Sequence, residues 1–245
     1  MNARTIQLLG EDNFSRLSAA HILIVGLGGV GAWAAEMIAR AGVGELTIVD
    51  ADKVSPSNIN RQLVALHSTI GQAKAQVLAA RLRDINPGIK LTVIEDYIKD
   101  DKTTALLCSA RFDYVVDAID TLSPKVNLIT ECLRLGLPVV SSMGAGAKVD
   151  PTKIEVGDIS KTHHCPLAHA LRKRLHRQGV REGFMAVFSS EAVCEGAIIE
   201  CDDEPNKKSS IGSISYLPAA FGCVVASVVV RELVGCASAG ASGAR

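Results

Sequence analysis

The sequence predicts a doubly wound α/β fold with a mostly parallel sheet, and three observations predict it. Short aliphatic runs alternate with helical stretches from residue 21 to about 145, at the spacing of linked strand–helix–strand units. Aromatic residues are only 4% of the chain, so the core must rest on Val, Ile, Leu and Ala, a mixture that suits a parallel sheet covered on both faces. A glycine-rich turn, Gly26-Leu27-Gly28-Gly29-Val30-Gly31, stands directly between the first such strand and the first such helix.

Residues 4–19 set Ile6, Leu8, Leu9, Phe14 and Leu17 among polar neighbours and predict one or two short helices. His21–Val25 is a short, fully apolar strand, and 32–41 is helical by composition, ended by Gly42 or Gly44. A second strand, 46–49, closes on Asp50, and 51–65 reads as a polar loop. A strong helix over 71–84 is stopped by Asn86-Pro87-Gly88. Then come a strand at 91–94, a short helix at 102–109, a strand at 114–116 that reaches Asp117 and Asp120, a helix at 124–135 ended by Gly136, and a strand at 138–141. Beyond 145 the pattern weakens: 148–215 mixes short strands, one basic helix and the polar stretch CDDEPNKKSS. The apolar run 216–230, broken by Pro218 and Gly222, falls short of the roughly 20 residues that span a bilayer, and reads as a buried helix without stable membrane insertion. The tail at 236–245, CASAGASGAR, is expected to be disordered.

Composition excludes several classes. With 26 basic and 26 acidic residues the net charge is zero, so attraction to a nucleic acid or an anionic lipid must come from a local patch, and DNA is not an expected partner. The cysteines (108, 132, 165, 194, 201, 223 and 236) form no C-x-x-C pair, which leaves a zinc site or a disulfide framework without support. Reduced thiols, Cys165 and Cys194 among them, and an N-terminus without a secretory or transit segment suit a cytoplasmic protein.

Gly26, Gly28 and Gly31 fit G-x-G-x-x-G, with Gly29 inside it. Such a loop brings backbone close to phosphate at a helix N-terminus, in a Rossmann-like arrangement. Asp50, 19 residues after Gly31, stands at the end of the second strand, where a carboxylate meets ribose hydroxyls. Alone, these features would fit NAD or FAD as well as ATP. The charged residues beyond the second strand decide between them. A dehydrogenase needs no cluster of Arg and Lys there, whereas an enzyme that splits ATP between its α- and β-phosphates does. Arg61 and Lys74 can meet triphosphate oxygens, and Asp120 can hold Mg²⁺.

The segment from Asp50 to Gln62, DADKVSPSNINRQ, closely resembles the D-x-D-x-V-x-x-S-N-L-N-R-Q signature of the ubiquitin-activating superfamily, to which ThiF-type enzymes belong. Lys74 follows 13 residues after Arg61, and Asp120 matches the family's magnesium-binding aspartate. The resemblance implies a ThiF-type adenylation domain over 1–235, with a nucleotide-binding core at 1–145 and a substrate-side extension at 146–235. It implies ATP and Mg²⁺ as cofactors, Asn58 and Gln62 among the nucleotide contacts, and a homodimer in which Arg4 reaches the partner's site.

Within that superfamily the chain resembles the tRNA threonylcarbamoyladenosine dehydratase branch. Asp117-Ala118-Ile119-Asp120 is followed by Pro124-Lys125, then Met143-Gly144-Ala145-Gly146, Asp150-Pro151-Thr152, Lys161-Thr162, Pro166-Leu167-Ala168 and a basic helix. The implied reaction is adenylation of the threonylcarbamoyl carboxylate in tRNA, then intramolecular ring closure with net loss of water. Independently, Leu167, Leu171 and Leu175 form one stripe while Arg172, Lys173, Arg174 and Arg177 project elsewhere, a positive patch apt for an RNA backbone. The chain departs from the branch in a short 194–215 region, where Ser209–Ser213 stands in place of a cysteine sometimes found before the last helix in longer members, so a thioester step is unsupported. The alternative is adenylation of the C-terminus of a small ubiquitin-like sulfur carrier. Against it stand the absent zinc cysteines and the basic helix, and sulfur-transfer partners stay open.

Overall fold

A computed structural model describes residues 2–204 and 207–235. The expected disorder at 236–245 lies outside the described residues. Two short helices, α1 (Ala3–Leu9) and α2 (Glu11–Ala19), precede β1 (His21–Val25), α3 (Gly31–Ala41), β2 (Glu45–Val49), α4 (Lys74–Ile85), β3 (Lys90–Ile94), α5 (Asp101–Leu107), β4 (Tyr114–Asp117), α6 (Leu122–Leu135) and β5 (Val139–Ser142). The second half adds β6 (Ile154–Asp158), α7 (Pro166–His176), β7 (Met185–Ser189), a hairpin of β8 (Ile198–Glu204) and β9 (Lys207–Ile211), and α8 (Tyr216–Leu233).

The main sheet has seven strands in the order β3-β2-β1-β4-β5-β7-β6, parallel except for β6, which runs against β7. Alternation along each strand divides the core. Ile22, Ile24, Leu46, Ile48 and Val116 face α3, α4 and α8, while Leu23, Val25, Val49 and Val115 face α5, α6 and α7. The register Val25↔Val49, Val25↔Asp117 and Asp117↔Ser141 ends four strands at one level. The loops leaving those carboxyl ends therefore share one rim, where ligands of open α/β sheets bind.

Two sequence expectations shift for tertiary reasons. The helix expected at 71–84 starts only at Lys74. Gly71 takes φ +84°, its N–H bonds to the Val54 carbonyl, and Ala73 bridges to Lys53, so this stretch is a turn that returns the polar loop to the sheet. The weakly patterned second half does not leave the sheet, because β7 pairs with β5 and extends it. The 216–230 run is helical, and α8 is long and apolar enough to cross a membrane (18 residues, mean hydropathy 1.5). Leu217, Phe221, Val225 and Val229 are buried in the core shared with α3, as expected of a buried helix.

Candidate functional site

The glycine loop leaves β1 on the shared rim. A Cβ on Gly31 would stand 1.8 Å from the Gly26 carbonyl, and Gly26 itself holds φ +91° with the Ala118 carbonyl 2.7 Å from where its Cβ would be. The fold alone demands glycine at both places. Gly28 differs: a Cβ there would meet only Gln62 Nε2 at 3.7 Å, so its missing side chain opens space for a ligand rather than for the protein. Gly29 lies against Pro218 at the start of α8 and near the stem of Arg61.

Asp50 is tied into this loop. One carboxylate oxygen accepts the Leu27 N–H at 2.6 Å and the other accepts the Asp52 N–H at 2.8 Å. Burial pushes the carboxyl above the usual carboxylate range, against the opposing pull of Lys74 and of the Leu27 and Asp52 amides. Asp52 in turn pairs with Lys74, Oδ2 to Nζ at 2.8 Å, and its carbonyl accepts the Lys74 N–H. The Lys74 side chain is 6% exposed and that of Asp52 72%, so a buried ammonium is led out to the rim by an exposed partner. Loop, acid and lysine thus form one connected unit, and Asp52 is a member that sequence reasoning left inside a motif without a role.

The polar segment after β2 folds over the same rim. A short 3₁₀ turn, Pro56–Asn58, buries Asn58, whose side-chain oxygen accepts the Ser55 N–H. Arg61 is half-buried, with its guanidinium donating to the Ser57 carbonyl and to Asn60. Gln62 is 8% exposed, and its Oε1 has no hydrogen-bond partner. An unsatisfied buried acceptor beside an open glycine fits a bound donor such as a ribose hydroxyl or an adenine amine. The residues present therefore fit a nucleotide triphosphate.

Asp120 stands on the loop after β4, exposed and without an ion pair among the described residues. An exposed carboxylate on the rim shared with the glycine loop fits Mg²⁺, which takes one or two carboxylates and completes its shell with phosphate oxygens and water. The loop is braced from beneath. Lys125 is wholly buried, pairs with Asp117 at 2.8 Å and donates to the Ile119 carbonyl at 2.9 Å. Asp117 also accepts from Ser141 Oγ at 2.6 Å and from the Ile119 N–H. The Asp-Ala-Ile-Asp and Pro-Lys motifs flagged this segment, but not that its first Asp and its Lys pair with each other.

Arg4 is not part of this assembly. It is exposed on α1, and α2 packs at the opposite, amino end of the strands, where the Gly44 N–H bonds to the Leu17 carbonyl and Gly42 meets Phe14. The length of α3, about 16 Å for its 11 residues, separates that end from the glycine loop.

The basic helix is α7, buried through Ala168, Leu171 and Leu175, with Leu167 only half-buried. Lys173, Arg174 and Arg177 are exposed as expected. Arg172 is not free: its guanidinium donates to the Thr162 carbonyl at 2.6 Å and to the Thr162 hydroxyl. Thr162 is buried, and its carbonyl would otherwise need another donor. Cys165 is buried and accepts the Ala168 N–H at the start of α7, whereas Cys194 is exposed.

Residues 2–244 match the ThiF family model. The chain is similar to the tRNA threonylcarbamoyladenosine dehydratase of Escherichia coli (39% identical, 94% of this chain and 92% of that protein) and to that of Bacillus subtilis (36% identical, 92% and 91%). The solved structure of the Escherichia coli enzyme in complex with ATP superposes with a TM-score of 0.87 at 39% identity, over 95% of this chain and 93% of that one. A rim built around an open glycine, an acid-led lysine and an unpaired aspartate, matched over nearly the whole length, places the chain in the ThiF family.

Proposed function

We propose that this protein uses ATP to adenylate the carboxylate of threonylcarbamoyladenosine in tRNA and then closes that group into a ring, with net loss of water. The observation that carries the reading is the connected unit of glycine loop, Asp50, Asp52 and Lys74, on the same rim as the loop that bears Asp120. It is supported by similarity along nearly the whole chain to dehydratases of that name.

In this reading the glycine loop and Asp50 hold the ribose and phosphates, and Asn58 and Gln62 complete the nucleotide contacts. Lys74 and Arg61 meet the oxygens on which charge grows as pyrophosphate departs. Asp120 would hold Mg²⁺, which would neutralise phosphate charge. The substrate carboxylate attacks the α-phosphorus, pyrophosphate leaves, and an acyl-adenylate forms. A neighbouring atom of the same modification then attacks the activated carbonyl and expels AMP. Intramolecular attack has a high effective molarity, so positioning suffices and no cysteine is required.

Lys173, Arg174 and Arg177 supply phosphate contacts for tRNA. The protein acts as a homodimer, which would let Arg4 serve the partner's site. In support, α1 buries none of its own residues and leaves Leu8 83% exposed, an apolar surface suited to a second copy.

The test is product formation from ATP. AMP and pyrophosphate should appear only when threonylcarbamoyl-bearing tRNA is supplied, and Lys74→Ala and Asp120→Ala should each reduce the rate by about 10²-fold or more with the fold intact. AMP released equally well with unmodified tRNA, or near-normal rates in either variant, would refute it.

A further inference from the structure

Beside the rim, at the start of α7, lies an open cleft of about 580 Å³ lined by Thr162, His163, His164, Cys165, His169 and Arg172, with Val193 across it. Its floor lies against the chain leaving β5. A Cβ on Gly144, just past the end of β5, would lie 3.6 Å from Cys165 Sγ, and β5 is paired to β4, whose loop carries Asp120. Three exposed imidazoles concentrate there, and no carboxylate lines the cleft among the described residues. Metal binding does not explain the cluster, because no three ligating side chains converge among the described residues.

The imidazoles are arranged rather than scattered. His163 meets His164 edge-on, centroids 5.1 Å apart, and meets Phe188 edge-on at 5.3 Å, so one ring is fixed against the core. His164 sits in the left-handed region at φ +50°, a conformation that a non-glycine residue holds at some cost. The Thr162 contacts anchor Arg172, presenting a planar cation as one wall of the cleft. Flat aromatic and guanidinium surfaces without nearby negative charge are the surfaces on which unstacked bases of single-stranded RNA rest.

We propose that this cleft holds the nucleotide adjacent to the reacting adenosine, its base stacked on His164 and His169 and its phosphate near Arg172. The inference rests on the RNA-substrate reading above. It assigns recognition of the loop sequence to residues outside the adenylation machinery, while the exposed cations of α7 track the backbone beyond it.

The experiment compares two substrates, a modified anticodon stem-loop and the isolated modified nucleoside, in wild type and in His164→Ala/His169→Ala, which leaves His163 packed on Phe188. The variant should lose kcat/KM on the stem-loop by roughly ten-fold more than on the nucleoside, since a stacked base contributes about that much. A stem-loop bearing 2-aminopurine beside the adenosine should lose its binding-induced fluorescence change in the same variant. Equal losses on both substrates, or no loss on the stem-loop, would overturn the cleft assignment while leaving the proposed reaction intact. A wild type that turns over neither substrate would instead remove the underlying reading, and the assignment with it.

Discussion

Asp50 is where nucleotide binding and stability pull in opposite directions. Its folded carboxyl sits above its unfolded value because burial outweighs the opposing contacts. A group raised in this way contributes stability below its unfolded pKa and loses it as pH rises through the folded pKa, so at neutral pH the charged carboxylate is a cost to the folded chain. Asp50→Asn should therefore weaken ATP binding by ten-fold or more, as about 1.4 kcal/mol of lost ribose contact would. The melting temperature of the variant relative to wild type should climb as pH rises above the ordinary aspartate value of about 4. A melting difference that stays flat as pH rises through and above that value would contradict the assigned direction. The glycines and acids of this site were legible because their requirements are local. The capture of Arg172 by Thr162, and the pairing of Lys74 with Asp52, were not, because each depends on a partner that folding brings near.

Helix α7 divides its cations by direction. Lys173, Arg174 and Arg177 face solvent, so replacing all three by Gln should raise KM for tRNA and flatten the salt dependence, each lost phosphate contact lowering the log–log slope by about 0.7–0.9. ATP affinity should be unchanged. An identical slope in wild type and triple variant would show α7 to be an ordinary solvated face. Elements legible in the sequence were those with their own punctuation: Gly42 and Gly136 end α3 and α6 in left-handed conformations, and Asn86-Pro87-Gly88 follows α4. The reversal of β6 and the pairing of β7 with β5 carry no such marks, because strand order is decided by faces that meet only in the folded chain. The turn at 71–73 was hidden by helix-favouring Gln and Ala, which a single tertiary bridge overrode.

At the scale of the molecule, the strands set two ends of the sheet apart, carboxyl and amino. The nucleotide residues gather at one and Arg4 rides on α1 at the other, so a role for Arg4 requires a second chain. A mixed population of Arg4→Ala and Asp120→Ala chains should then recover activity, since pairing one of each assembles one intact site. Each variant alone should be inactive. Absence of recovery, with mixed dimers demonstrated by mass, would confine Arg4 to a local role.

The Asp117–Lys125 pair constrains how this lineage can change. Losing either charge alone strands the other at zero exposure, at a cost of about 3–5 kcal/mol, a large part of the roughly 5–15 kcal/mol that holds a typical domain folded. Single mutational steps away from the pair are costly, and a joint apolar exchange would still leave the Ile119 carbonyl and Ser141 to find new partners. Ancestry should therefore transmit the two positions as one heritable unit.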